Sequence, residues 1–240
     1  MARLPRRRQR TINLDVTVIA IDSNFEPFTK AAFEYRQKHV YPYLEGRGFH
    51  VMRFQGPLAR RYYAAPAARR PNVDYLTGVG HGTHDTYTGD YYDPIFSIGN
   101  YNQEEVRGKI VHLLSCETAR SLGQDFVNQG CLAFFGYDEN FIYHQGDSEV
   151  FFECDSEIDL GFADGLTAEQ VYDRAIAKYN QRITEMRAQG KLYVAAMLEF
   201  DRDHLRTPSS SEMWGDREAR LDDRERSQPK RRKKRAGSDP

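Results

Sequence analysis

Cysteine is scarce in these 240 residues: Cys116, Cys131 and Cys154 are the only three. An odd count that small excludes a disulfide framework and leaves free thiols, the pattern of a reducing cytoplasmic compartment. There is no apolar run of about 18 residues, so no membrane span is expected. Met1–Arg10 is basic, but no apolar stretch follows it, and a secretory leader is not expected either. A strong overall charge is also missing, since the formal net is −1.

The charge is nonetheless uneven. Residues 1–10 carry five arginines and no acid, and residues 208–240 carry ten Lys/Arg against seven Asp/Glu. The stretch between them holds 19 basic and 28 acidic residues. An acidic body with basic ends favours cationic substrates near the body and anionic partners near the ends, through a long-range field that salt screens. With 40% apolar residues the composition is that of a globular protein, long enough for one domain with a sizeable core.

Apolar, β-branched runs alternate with helical patterns. Strands are expected at Leu14–Ile21, Phe49–Phe54, Val73–Val79, Lys109–Leu114, Cys131–Phe135 and Leu192–Phe200. Helices are expected at Phe28–Leu44, Thr118–Gln129 and Ala168–Ala188, the last capped by Thr167 and stopped at Gly190. Pro57–Ala68 reads as a weak helix or loop, interrupted by Pro66. This alternation is that of βαβ units: an α/β domain over 12–207, with a mostly parallel six-stranded sheet covered on both faces as a three-layer sandwich. Residues 82–108, rich in Gly, Tyr, Asp, Asn and Thr, have no clear period and read as a long functional loop. The segments 1–11 and 208–240 read as disordered, the latter with a short helix near 216–227.

The chemistry gathers at two expected strand ends. Val73–Val79 runs into Gly80-His81-Gly82, and Lys109–Leu114 runs into Ser115-Cys116. Function in parallel sheets collects at the carboxyl edge of the strands, so two adjacent strands would present an imidazole and a thiol on one rim. A thiol attacks well only as thiolate, and a nearby imidazole can take its proton. The helix expected from Thr118 should lower the Cys116 pKa further. Gly82 lets a substrate backbone approach, and the Gly82 and Cys116 N–H groups could hold an oxyanion. These are the parts of acyl transfer.

The stretches YLTGVGHGTH and KIVHLLSCETARSLGQDFVNQGCLAFFGY, with AAMLEFDRDHLR near the end, resemble the caspase/gingipain superfamily of cysteine peptidases, including CHAT-type and clostripain-like members. The resemblance covers roughly residues 12–206 and is closer to bacterial members than to animal caspases. It implies a caspase/hemoglobinase-like fold and a cysteine endopeptidase with His81 as catalytic histidine and Cys116 as nucleophile, acting on a protein or peptide. It implies no cofactor for the chemistry. Specificity in this superfamily is often set near the first strand and around the dyad. Asp22 could there face the substrate residue before the scissile bond and favour Arg or Lys, with Asp85 and Asp138 as rival acids. The alternative is a catalytically silent or conditionally active CHAT-like module that works by binding a regulatory protein partner.

Other readings are weaker. His81, His84 and Asp85 are metal-ligand types, but no further cluster completes a site, and no metal is expected. His-Gly-Thr-His also occurs in subtilisin-like peptidases, yet no matching serine elbow is present. Cys131 reads as core, and His112 as a core or supporting histidine. Tyr87, Tyr91, Tyr92, Phe96 and Tyr101 either wall a substrate site or pack the loop onto the body. Lys230–Arg235 reads as a solvated charge run, with nucleic-acid binding or localisation as its alternative.

Overall fold

The computed structural model describes residues 16–206 and 215–221. The basic termini, including Met1–Arg10 and Lys230–Arg235, lie outside the described residues. Strand β1 (Thr17–Asp22) is followed by α1 (Pro27–Gly46), β2 (His50–Gln55), α2 (Arg61–Ala68) and β3 (Val73–Val79). Three short strands, β4 (Gly82–Thr83), β5 (Thr86–Thr88) and β6 (Pro94–Ser97), precede β7 (Ile110–Leu114). Then come α3 (Leu122–Asn128), β8 (Ala133–Tyr137), α4 (Ser148–Ala163), α5 (Ala168–Ala188), α6 (Leu192–His204) and β9 (Leu205–Arg206).

The main sheet has six strands in the order β2-β1-β3-β7-β8-β9. All neighbours are parallel except β8–β9. Side chains alternate across it, as the pleat requires. Val18, Ala20, Tyr75, Ile110 and Phe135 face a core shared with α1, α4, α5 and α6. Ile19, Leu76, Val111, Leu113 and Phe134 face the opposite core, with α2, α3 and the small sheet. A parallel sheet needs both faces covered, and its central strands are buried throughout.

Three expectations are corrected. Leu192–Phe200 is helix, not strand: Val194, Ala195, Leu198 and Asp201 are buried, a helical spacing, and the run contains the helix formers Ala, Leu and Met. The sixth strand is instead the two-residue β9. The segment 82–108 is not one long loop, because β4, β5 and β6 form an antiparallel sheet that buries Tyr87 and Phe96. Within the expected tail, residues 215–221 pack on the body. Gly215 bridges Ala133, Ala219 and Leu221 are buried, and the carbonyls of Arg217 and Ala219 receive the Glu169 and Ala168 N–H groups that open α5.

A buried ionic network joins the sheet to α1 and α4. Arg36 on α1 donates to Asp159, Thr77 and Tyr41 at 3.0, 2.6 and 3.1 Å. Asp159 also accepts from Tyr75 and Thr77. His112 on β7 sits between two α4 aspartates, with Nδ1 3.2 Å from Asp159 and Nε2 3.1 Å from Asp155. With a carboxylate on each ring nitrogen, both must carry a proton, so the ring is an imidazolium. Burial opposes that charge, but Asp155 and Asp159 outweigh it and push the His112 pKa up to about 9.

This raised value gives His112 a stabilising contribution that is complete below its ordinary pKa near 6.5 and is lost as pH rises through about 9. Urea unfolding at pH 6.5 and pH 10 should show stability falling by on the order of 2–4 kcal/mol. His112→Gln should flatten that slope.

Candidate functional site

The site begins with strand register. β3 and β7 pair in parallel, with Val79 opposite Leu114. The ladder continues one step through the Gly80 N–H to the Leu114 carbonyl, 3.2 Å. His81 and Cys116 are each the second residue past the paired ends Val79 and Leu114, and both line one cleft at this edge of the sheet. Gly82 fixes the approach: a Cβ there would lie 2.2 Å from the Cys116 carbonyl oxygen and 2.8 Å from a Thr118 methyl. Only glycine lets the two strand ends meet this closely.

Gly82 then turns back into the small sheet. The Thr88 N–H donates to the His81 carbonyl at 2.9 Å, so 81 and 88 form a hydrogen-bonded pair. In an antiparallel ladder the next pair, Gly82 and Tyr87, is the non-bonded kind, and its N–H points away from the partner strand. The Gly82 N–H is thereby directed off the hairpin. Among the described residues, the Cys116 N–H meets no backbone acceptor.

Cys116 is half-buried, whereas Cys131 and Cys154 are buried, and all three are free thiols. The residue after it, Glu117, has φ +57°, a left-handed turn that a non-glycine residue adopts only under constraint. That turn is tied down by the Glu117 N–H to the Glu139 carbonyl, by Arg120 beside Glu117, and by the Ala119 N–H to the Tyr137 carbonyl.

The expected helix from Thr118 is corrected here. Residues 118–121 form turns, and α3 begins only at Leu122. The Ser121 and Leu122 N–H groups both donate to the His84 carbonyl, at 3.1 and 2.8 Å. The first N–H groups at the start of α3 are therefore turned to His84 and not to Cys116. Burial pushes the Cys116 thiol above its ordinary range, with Glu117 and Asp201 adding to the rise and a Phe141 backbone hydrogen bond opposing it.

His81 has a partner that the sequence did not suggest. Its Nε2 lies 3.3 Å from Glu26 Oε1, at an angle that makes no hydrogen bond. Glu26 is the N-cap of α1, accepting from the Phe28 and Thr29 N–H groups at 2.8 and 2.6 Å. Burial works to raise the Glu26 pKa, but these hydrogen bonds, with a smaller contribution from His81, hold it below its ordinary value. The result is a fixed carboxylate beside the His81 imidazole. Its signal in the sequence was Glu26-Pro27 opening the first helix, with Pro at N1.

Aromatic rings complete the rim. Tyr92 lies against His81 with ring centroids 5.0 Å apart, and Phe25 stacks on Tyr91 at 5.0 Å. Tyr91 and Tyr92 are exposed and both have positive φ. Of the five aromatics singled out, these two face the site. Tyr87 and Phe96 are core, and Tyr101 packs on Phe126 with its hydroxyl on Asp125.

The three acids expected to bind substrate stand elsewhere. Asp22 is fully buried and turned into the core, accepting from Tyr41 and the Val79 N–H and facing Arg36. Burial raises its pKa to about 6. Asp85 accepts from Thr83 and Thr86 on the β4–β5 hairpin. Asp138 is bound to His204 and Arg206. None lines the cleft beside the thiol. That cleft, of about 360 Å³, is walled by the strand ends Val79–His81 and Leu114–Cys116 and by apolar side chains of α1, α4, α6 and the loop 141–143.

Among the described residues, no group of three or more His, Cys, Asp or Glu is placed to hold a metal ion. None of the helices described is long and apolar enough to cross a membrane. Comparison with protein-family models and with curated proteins finds no match to the chain.

Proposed function

We propose that this chain is a cysteine endopeptidase of caspase-like architecture that works in the cytoplasm on a protein or peptide substrate. The observation that supports the reading is that β3 and β7 are paired neighbours whose carboxyl ends lead to His81 and Cys116, both of which line one cleft. Cys116 Sγ attacks the scissile carbonyl, and its proton passes to His81. The Gly82 and Cys116 N–H groups receive the oxyanion. The C–N bond breaks as His81 returns the proton to the leaving amine. Water, activated by the same imidazole, then releases the acyl group and restores the thiol. Glu26 acts as a positioning residue for the imidazole.

A second reading, a conditionally active module switched by a protein partner, is favoured by two features. Burial pushes the Cys116 thiol above its ordinary range, and His81 Nε2 faces Glu26 without a hydrogen bond. Under this reading a partner or substrate brings the two reacting groups into contact.

Incubation of the protein with a diverse peptide library, read by mass spectrometry, separates these readings. Cleavage by the protein alone is the expected result. Cleavage only after addition of a cell extract supports the switched module, and no cleavage in either case refutes both.

A further inference from the structure

We infer that the cleft beside Cys116 is the subsite for the residue whose carbonyl the thiol attacks, and that it selects a bulky apolar side chain. This deepens the peptidase reading and rests on it.

The cleft lies where such a side chain must go. Cys116 and His81 stand in its wall, together with Gly80 and Ser115. A side chain extending from an acyl carbon on Cys116 has this cavity next to it. Its volume of about 360 Å³ is at the lower end of the range for ligand sites, roughly 300–1,000 Å³, and suits one large side chain better than a folded ligand.

Its chemistry is apolar. Phe28 and Ala32 come from α1, Phe141 and Ile142 from the loop after β8, Phe152 from α4 and Met197 from α6. No carboxylate, lysine or arginine stands among the lining residues. A guanidinium entering here would lose its water without meeting an acid in the lining, and a carboxylate would meet no lysine or arginine. An aromatic or branched aliphatic group would lose only water, and Met197 gives an adaptable wall against a ring.

The nearby acids are already engaged. Glu26 is outside the lining, and both of its carboxylate oxygens accept N–H groups that open α1. Asp201 lies one turn after Met197 on α6, but it is outside the lining and receives the Ile142 N–H at 3.0 Å. Burial raises its pKa well above the ordinary carboxylate range, which disfavours the charge that a cationic side chain would need. The basic preference expected from the sequence therefore has no acid to support it in this cleft.

The test uses the full chain and four peptidyl chloromethyl ketones that differ only in the residue next to the reactive group: Phe, Leu, Arg and Asp. The rate of Cys116 alkylation is followed by intact mass and peptide mapping. The Phe and Leu probes should label Cys116 at least about ten-fold faster than the Arg and Asp probes. Ala32→Leu, which adds bulk to the α1 wall of the cleft, should slow the Phe probe while iodoacetamide still labels Cys116.

Faster labelling by the Arg probe, abolished in Asp201→Asn, would overturn the inference and make Asp201 the recognition group, with the peptidase reading intact. Equal rates for all four would also overturn it. Failure of every peptidyl probe while iodoacetamide labels Cys116 would remove the peptidase reading and the inference together.

Discussion

Cys116→Ala should abolish peptide hydrolysis, a fall on the order of 10⁴- to 10⁶-fold in kcat, with the fold unchanged by circular dichroism. The size follows from chemistry. Without sulfur there is no acyl-enzyme, and only substrate binding and the two N–H donors remain to assist water. The fold should persist because Cys116 is half-buried at a strand end, where losing one sulfur opens the rim and leaves no sealed cavity. Two controls sharpen the result. The Cys131 thiol has the Lys109 and Ala133 carbonyls as acceptors for its one proton in the core, and burial pushes its pKa up to about 12. Cys154 is buried on α4 and is raised further, chiefly by burial. Neither is a nucleophile near neutral pH, so alanine at either position should leave peptidase activity in place.

Arg36→Met should destabilise the protein by about 3–5 kcal/mol, read as a lowered urea midpoint at pH 7. The substitution keeps much of the side-chain stem but removes the cation. Asp22, Asp155 and Asp159, all fully buried on the same face of the sheet, then lose the cation they share, while His112 still faces Asp155 and Asp159. Asp159 suffers most. Its own burial would raise its pKa, and Arg36 and His112 together hold it well below the ordinary range. Breaking a buried pair by removing one partner is costly because the other charge stays buried. That cost does not measure what the network adds to stability, which an apolar replacement of the whole cluster could match. Asp159→Asn should be milder than Arg36→Met, since Asn can still accept from Tyr75 and Thr77.

The parallel strands β1, β2, β3, β7 and β8 were legible because each is a short β-branched or aromatic run bounded by turn residues. The ends of two of them, His81 and Cys116, carried the candidate site for the same reason. What was missed has physical causes. The core-facing side of α4 carries Asp155 and Asp159 among Phe151, Phe152, Ile158 and Phe162, so charged residues interrupt its apolar stripe. Their partners, Arg36 and His112, lie more than 40 residues away in sequence.

The run Leu192–Phe200 is apolar enough to pass for a buried strand, and period alone does not separate a short buried helix from one. The placement of Asp22 failed through the pleat. As the last residue of β1 it alternates with Ile21 and falls on the α1 face, where Arg36 and Tyr41 meet it. Glu26 escaped notice because its role comes from the entry of α1 beside His81, a contact across 55 residues.

The pairing of His81 with Cys116 is tested most directly by one rate: alkylation of Cys116 by the phenylalanyl chloromethyl ketone at neutral pH, in the wild type and in His81→Ala. If the imidazole activates the thiol, the rate should fall by about 100-fold or more in the variant. Equal rates in the two proteins would contradict a working dyad.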